Sequence, residues 1–380
     1  MEIKMAKDWL IRLNDRVRGS LIGGAAGDAL GYAVEFHDEG YIFQNYGPSG
    51  ITEYRLVDGK ALISDDTQMT LFTAAGLLTG YSVAMQRCFV RTLEPYIYLS
   101  YLDWLHTQEP EGYPEHPSLT WLADEPGLYD RRAPGNTCLS ALFSGEMGAI
   151  GFRINRSKGC GGVMRTAPVG LLMGLTETNY KDVDDLGAEA AAITHGHDLG
   201  FIPGAMLADL TGRLSRSDIS IKEAVEAALV NMKELFGDME HIDPFIDLMG
   251  KAVALSQEDL DDLDAIHELG QGWVGDEALA IAVYCSLKYP EDIEKALIAA
   301  VNHEGDSDST GAIAGNIVGA HVGYSRIPDK LIRDLELKDL ILEIADDLSL
   351  GVDKLTLGGK INDQWARKYM RWPLEAFDDI

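Results

Sequence analysis

Positive charge and proline are both scarce in this chain, and each shortage narrows the kinds of protein that it can be. The 380 residues include 32 lysines and arginines against 61 aspartates and glutamates, a formal net charge of −29. A surface with this charge repels phosphate backbones, so we do not expect nucleic acid as a general partner. With only 13 prolines, long disordered linkers are not expected either.

Cysteine is also rare, and the arrangement of the four cysteines excludes the common cysteine-based sites. They stand far apart and form neither a CxxC pair nor the spacing of a zinc site, so we expect a reduced, cytoplasmic protein. No run of about 18 uncharged apolar residues is present, which argues against a membrane span. The mixed charges near the N-terminus do not match a signal peptide.

Apolar residues recur at helical spacing along most of the chain, whereas alternating strand patterns are rare. The clearest helical stretches are residues 182–195, 221–236, 273–287 and 292–302. Residues 50–56 are the best short strand candidate. We therefore predict an all-α fold, and a single domain over residues 1–380, because no linker or tandem repeat interrupts the pattern.

Glycine recurs at every fourth position in two segments of the chain. The two sets are Gly19, Gly23, Gly27 and Gly31, and Gly311, Gly315, Gly319 and Gly323. Glycine costs about 1 kcal/mol relative to alanine at each helix-interior position, so two such ridges need a structural reason. We predict two helices whose bare ridges allow close approach in a crowded centre. The alternative is that some of these glycines lie in loops.

Two acidic clusters each stand before a segment with helical character. The first is residues 64–67 (Ser-Asp-Asp-Thr) before the apolar run 68–78, and the second is residues 306–310 (Asp-Ser-Asp-Ser-Thr). Plain helix capping is one interpretation, but capping needs only one side chain. Each cluster offers two carboxylates and flanking hydroxyls, which are hard ligands suited to Mg²⁺, Mn²⁺ or Ca²⁺. If the clusters meet, two divalent ions would neutralise their four carboxylates.

Five motifs, in order along the chain, resemble the ADP-ribosylglycohydrolase family, which includes dinitrogenase-reductase-activating glycohydrolase. They are residues 27–31 (GDALG) with 35–36 (EF), 64–67 (SDDT), 159–165 (GCGGVMR) with Pro168, 194–197 (THGH), and 305–311 (GDSDSTG). A weaker sixth is 272–274 (GWV) with 277–280 (EALA). The motifs cover residues 17–325, and the remainder would be a C-terminal extension of the same domain.

The resemblance implies a compact orthogonal helical bundle with two magnesium or manganese ions at its centre. The implied metal ligands are Ser64, Asp65, Asp66, Asp306, Asp308 and Ser309. Asp308 would bridge the two ions. Ser64 stands where many members have threonine, which keeps the hydroxyl ligand, and Cys160 stands where many members have asparagine.

The remaining motifs are candidates for substrate binding. Taken alone, the glycine-dense segment 159–162 is either a structural turn or a place where backbone N–H groups approach a diphosphate. The resemblance implies substrate contacts at Gly159, Cys160, Gly161, Gly162, Met164, Arg165 and His195. It also makes Glu35 a carboxylate near the metals that gates the ribose or handles a proton. Trp273 would either stack on adenine or pack in the core.

The predicted reaction is hydrolysis of the bond between ADP-ribose and a protein side chain, through an oxocarbenium-like transition state. Asp66 or Glu35 would take the proton from the attacking water, and Asp308 would act through the cations. Residues 305–310 resemble the arginine-directed members of the family more than the serine-directed ones, and this resemblance implies arginine as the acceptor. An ADP-ribosylated protein would be the substrate, ADP-ribose the product, and the enzyme a monomer.

Three alternatives stay open from the sequence. The Asp306-x-Asp308 pattern also occurs in phosphatases, but there it should follow a buried strand rather than the helical stretch 292–302. A non-catalytic protein could bind ADP-ribose or ADP-ribosyltransferases, although the full set of ligand candidates favours catalysis. A hydrolase of the same type could also act on serine-linked or small-molecule ADP-ribose.

Overall fold

The computed structural model describes residues 2–88, 92–109, 117–173 and 179–377. Within these ranges helices dominate, and the one regular sheet is an antiparallel hairpin of Leu56–Val57 (β1) and Lys60–Ala61 (β2). This confirms the all-α fold. The strand expected at 50–56 is wrong except for its last residue. β1 begins only at Leu56, and residues 50–55 pair with no other strand.

Sixteen α-helices are present in the described ranges. They are α1 (Glu2–Gly31), α2 (Glu39–Tyr46), α3 (Asp65–Arg87), α4 (Glu94–Gln108), α5 (Asn136–Phe143), α6 (Ala167–Met173), α7 (Tyr180–Ala192), α8 (Asp198–Arg216), α9 (Ile221–Leu235), α10 (Ile242–Leu255), α11 (Asp262–His267), α12 (Gly275–Lys288), α13 (Ile293–Val301), α14 (Ser307–Val322), α15 (Lys338–Asp346) and α16 (Asp363–Tyr369). The four helical stretches expected from periodicity correspond to α7, α9, α12 and α13, with ends displaced by no more than three residues.

The two glycine ridges pack directly against each other in the centre of the molecule. A Cβ added at Gly23 would lie 2.4 Å from the carbonyl oxygen of Gly315, and one added at Gly27 would lie 2.0 Å from that of Gly311. Residue numbers rise along one ridge as they fall along the other, so α1 and α14 are antiparallel. The helical prediction is confirmed for seven glycines. Gly323 is instead the C-cap of α14, with φ 84°.

This antiparallel pair brings three helix ends to one place. α1 ends at Gly31, beside the start of α14, because a Cβ at Gly31 would lie 2.2 Å from the carbonyl oxygen of Ser307. The buried Asp28 in the last turn of α1 then fixes the start of α3. Its carboxylate accepts hydrogen bonds from the backbone N–H groups of Ser64 (2.9 Å) and Thr67 (3.0 Å). The site described below lies at this junction.

A continuous apolar core surrounds the central pair and reaches from Leu13 in α1 to Tyr369 in α16. α8, α12 and α13 pack against α14, while α15 packs against α1 and α16 packs against α3. The segment after the last sequence motif is therefore part of the packed structure. None of the helices in the described ranges is both long enough and apolar enough to cross a membrane.

Candidate functional site

A cavity of about 530 Å³ opens where the three helix ends meet. Asp65 and Asp66 of α3 line it together with Asp306, Asp308 and Ser309 at the start of α14. The two acidic clusters therefore line one cavity, which is the condition that a shared cation site requires. This arrangement follows from the glycine-to-glycine packing of α1 and α14, because that packing places the N-terminus of α14 next to the helix end that anchors α3.

The first acidic cluster caps α3 and also points carboxylates into the cavity. The Ser64 hydroxyl accepts a hydrogen bond from the backbone N–H of Asp66 at 3.2 Å, as in an ordinary N-cap. Asp65 accepts from the backbone N–H of Gly135 at 3.0 Å. Asp66 Oδ1 is buried and has no hydrogen-bond partner among the described residues. Capping thus accounts for Ser64 and leaves an Asp66 oxygen available to a ligand.

The second cluster is arranged in the same way at the start of α14. Asp306 is the N-cap residue, and its two oxygens accept from the backbone N–H of Ser309 at 3.3 Å and from the Cys160 thiol at 2.6 Å. Glu35, from the turn after α1, joins this cluster. Glu35, Asp306 and Asp308 each offer an oxygen, and these oxygens lie within 4.8 Å of one another. Glu35 Oε2 has no hydrogen-bond partner in the described structure.

Burial and mutual repulsion raise the pKa values of these carboxyl groups. Burial, followed by the charge of Asp306, raises the pKa of Glu35 to about 9. Burial raises the pKa of Asp65 to about 8 against the opposing hydrogen bond from Gly135. Burial and neighbouring carboxylates hold the pKa values of Asp66 and Asp308 well above the usual range. The repulsion between carboxylates this close together must be relieved by protons or by bound cations.

The donor set fits hard divalent cations. Carboxylate and hydroxyl oxygens are the ligands that Mg²⁺ and Mn²⁺ prefer, and unpaired buried oxygens are rare unless a ligand or ion satisfies them. Among the described lining residues Arg131 is the one cationic side chain. It is half-exposed and pairs with Glu109 instead of the acidic cluster. The carboxylates at this end of the cavity therefore lack a protein counter-charge in the described structure.

The glycine-dense segment and His195 form another part of the cavity wall. Gly159, Cys160, Gly161, Met164 and His195 all line the cavity. A Cβ added at Gly161 would meet Cys138 Sγ at 2.9 Å and the His195 ring at 3.2 Å, so only glycine fits there without movement. Burial, followed by the charge of Arg165, lowers the pKa of His195 to about 3. The imidazole is therefore neutral at physiological pH.

Three residues predicted for the site lie behind the cavity wall rather than in it. Arg165 is fully buried and donates to Thr194 Oγ1 at 2.6 Å and to Cys138 Sγ at 3.3 Å. The Thr194 hydroxyl in turn contacts His195 Nδ1 at 2.8 Å, so Arg165 reaches the site only through its neighbours. Gly162 packs against α8, and the buried Ser64 side chain is engaged in capping.

Asp28 and Phe36 carry no role in the sequence-based prediction, whereas the sequence leaves two alternatives open for Trp273. Asp28 holds the start of α3, and burial raises its pKa to about 6 despite its hydrogen bonds to Thr67 and Ser64. Phe36 lines the cavity beside Glu35, and Trp273 lines it as well. Trp273 is 41% exposed, so of its two alternatives the core position is excluded. Asp28 could have been identified as a site residue because it belongs to the motif at residues 27–31. Nothing in the sequence marks Phe36 as exposed.

Comparison with known proteins agrees with this geometry. A model of the ADP-ribosylglycohydrolase family matches residues 10–356, a longer range than the sequence motifs span. ADP-ribosylhydrolase ARH3 of Mus musculus is 25% identical over 342 residues, which cover 83% of this chain and 85% of that protein. ADP-ribosyl-[dinitrogen reductase] glycohydrolase of Rhodospirillum rubrum is 27% identical over 339 residues, 86% of this chain and 92% of that protein.

A solved structure supports the same fold. It belongs to an ADP-ribosylglycohydrolase-related protein complex and superposes with a TM-score of 0.57 at 24% identity, over 89% of this chain and 98% of that one. With the family match spanning most of the chain, and with the motifs that carry it gathered around one cavity, the chain belongs to the ADP-ribosylglycohydrolase family.

Proposed function

We propose that this protein hydrolyses the glycosidic bond between ADP-ribose and an arginine side chain of a modified protein. The observation that carries the proposal is the meeting of both acidic clusters and Glu35 in one cavity whose wall also includes the glycine-dense loop. Two relatives are named as hydrolases of ADP-ribosylated targets, which supports the same reaction class here. One large apolar core, which runs from Leu13 to Tyr369 in the described residues, supports the proposal of one domain over residues 1–380.

Two Mg²⁺ or Mn²⁺ ions are the proposed cofactors. The residues that would hold them are Asp65, Asp66, Asp306, Asp308 and Ser309 in the cavity wall. Ser64 would be the sixth ligand, from its place behind the wall with its hydroxyl 3.4 Å from Asp66 Oδ2. The unpaired buried oxygen of Asp66 and the mutual proximity of Asp306 and Asp308 support this assignment. When bound, such cations neutralise the carboxylates and orient the ribose hydroxyls. Asp308, with carboxylates of both clusters around it, is the proposed bridging ligand.

The protein's own groups would position the sugar and move the proton. Glu35 and Asp66 both line the cavity with an unpaired carboxyl oxygen, so either, in its ionised form, can accept the proton of the attacking water. We favour Glu35 because, unlike Asp66, it is not among the proposed metal ligands, and its Oε2 has no hydrogen-bond partner among the described residues. Ionised carboxylates in the cavity would also stabilise the positive charge of an oxocarbenium-like transition state.

The glycine-dense loop and His195 would bind the diphosphate side of the substrate. Gly159 and Gly161 lie close to His195, whose Nε2 would be 3.3 Å and 3.5 Å from Cβ atoms added at these positions. Backbone without side chains lets a diphosphate approach its N–H groups. With Nδ1 engaged by Thr194, the neutral ring has Nε2 available on the side of the loop.

Release of ADP-ribose from a peptide carrying it on arginine tests the proposal, in Mg²⁺ and after chelation. We expect turnover with Mg²⁺, its loss after chelation, and loss by orders of magnitude in Asp308→Asn, which keeps the side-chain shape but removes a charge. Near-normal turnover of Asp308→Asn at saturating Mg²⁺ would contradict the bridging role. A protein that binds ADP-ribose in calorimetry but never releases it from any peptide would support the non-catalytic alternative.

A further inference from the structure

Two large aromatic side chains stand exposed at the acidic end of the cavity. Phe36 is 70% exposed and Trp273 is 41% exposed, although both line the cavity. Their ring centroids lie 6.3 Å apart with an interplanar angle of 23°. Aromatic rings left in water on the wall of a binding cavity lose the free energy that burial would provide, so this placement calls for a ligand.

Trp273 is held on a rigid loop, so its exposure is a property of the fold. The Glu277 carboxylate in the first turn of α12 accepts from the backbone N–H groups of Gln271 (3.0 Å) and Gly272 (3.3 Å). The carbonyl of Trp273 accepts from the backbone N–H of Cys160 at 3.3 Å, and that of Gln271 accepts from Asp306 N–H at 2.9 Å. The loop is thereby tied both to the glycine-dense segment and to the start of α14.

The position of the two rings indicates which part of a substrate they would meet. Phe36 directly follows Glu35, whose carboxylate belongs to the cluster with Asp306 and Asp308. Trp273 is tied through its loop to the backbone of Asp306. Both rings therefore stand beside the carboxylate cluster, at the proposed place of bond cleavage. The group next to them is then the leaving side chain, because adenine lies at the far end of ADP-ribose from that bond.

We infer that Phe36 and Trp273 form an aromatic clamp that binds the guanidinium group of an ADP-ribosylated arginine. This inference rests on the proposed function and adds a basis for acceptor specificity. A guanidinium is planar and cationic, and it stacks on aromatic faces. The carboxylates beside the clamp attract the same positive charge. A serine side chain offers neither a plane nor a charge, so the clamp favours arginine-linked over serine-linked ADP-ribose.

Removal of either ring should lower the rate on the arginine-linked substrate selectively. Phe36→Ala and Trp273→Ala should each reduce kcat/KM for an arginine-linked peptide about tenfold, the size expected for loss of one cation–π contact in a partly dry site. Cleavage of the same peptide linked through serine, where wild type acts on it, should change less than twofold. Trp273→Phe and Phe36→Tyr retain a ring face and should restore most of the rate.

The decisive experiment compares these variants on both peptides and also measures inhibition by free ADP-ribose. Phe143→Ala is the matched control, because Phe143 is 48% exposed but does not line the cavity. The clamp predicts unchanged inhibition by ADP-ribose in Phe36→Ala and Trp273→Ala, and unchanged thermal stability. Weaker inhibition by ADP-ribose in Trp273→Ala would show that the ring stacks on adenine and would overturn the inference. Equal losses on both peptides, or no loss on either, would overturn it as well.

Failure of the clamp is distinguishable from failure of the proposed function. If wild type released ADP-ribose with Mg²⁺ but the aromatic variants behaved like Phe143→Ala, the glycohydrolase activity would stand and the clamp would fall. If wild type released no ADP-ribose from either peptide, the proposed function itself would fail.

Discussion

The packing of α1 against α14 makes a sharp prediction about adding a single methyl group. Gly23→Ala places a Cβ 2.4 Å from the carbonyl oxygen of Gly315, and Gly315→Ala places one 2.0 Å from that of Gly23. Real Cβ atoms essentially never come closer than 3.0 Å to such an atom. The helices must therefore separate by about 0.6 Å or about 1 Å in a close-packed interior. Neither contact can be relieved by a rotamer change, because both partners are backbone atoms.

The expected magnitude follows from two opposing effects. Alanine is favoured over glycine by about 1 kcal/mol inside a helix. Overpacking a close-packed interior costs about 1–3 kcal/mol, and more where backbone must shift. We expect Gly23→Ala to lower the free energy of unfolding by about 1–2 kcal/mol and Gly315→Ala, with the shorter contact, to lower it further.

Gly250→Ala is the matched control for this prediction. Gly250 lies inside α10, is exposed, and would place its Cβ more than 4 Å from any other group. The same substitution should there raise the free energy of unfolding by about 0.5–1 kcal/mol. Urea unfolding followed by circular dichroism, with slopes compared between variants, measures all three changes. If Gly23→Ala stabilised the protein as much as Gly250→Ala, the close approach of α1 and α14 would be refuted.

Three further predictions concern the glycine-dense loop at Gly161, the buried guanidinium of Arg165 and the buried carboxyl group of Asp184. Gly161→Val should weaken inhibition by free ADP-ribose, because the added side chain meets Cys138 and His195; unchanged inhibition would show that the loop is only a turn. Arg165→Met should lower the free energy of unfolding by about 2–4 kcal/mol, and equal stability of the variant would contradict its buried bonds to Thr194 and Cys138. Burial, followed by the charge of Asp209, raises the pKa of Asp184 to about 9, above its unfolded value of 3.8. The folded state therefore holds a proton that the unfolded state releases, and stability falls as pH rises between these two values. Asp184→Asn should remove up to about 1.4 kcal/mol of that loss per pH unit; parallel stability curves for wild type and variant between about pH 5 and 8 would contradict it.

The architecture of the site was largely predictable because its parts are local in sequence. Residues 64–67 and 306–310 cap helices and display carboxylates at the same time, and both properties follow from residue type and spacing. The glycine at every fourth position in two segments indicated two helices that pack closely together. The antiparallel pairing of Gly23 with Gly315 then brings the clusters together.

The remaining details depend on contacts between distant residues and could not be predicted from the sequence. Arg165 directly follows a cavity-lining segment, yet its guanidinium turns inward because Thr194 and Cys138 offer buried partners there. Trp273 is a large apolar residue of a type that usually packs in the core, but here it is exposed on a loop that Glu277 holds in place. Phe36 is likewise exposed because the turn after α1 places it at the cavity.

Direct titration of the chelated protein with Mn²⁺ tests whether the two acidic clusters form one divalent-cation site in the folded protein. Free Mn²⁺ gives an electron paramagnetic resonance signal that is lost on binding, so the stoichiometry can be counted without substrate or turnover. We expect two ions bound per chain in wild type and strongly weakened binding in both Asp66→Asn and Asp308→Asn, one variant from each cluster. Undiminished Mn²⁺ binding in either variant, or no binding by folded wild type, would contradict a shared site.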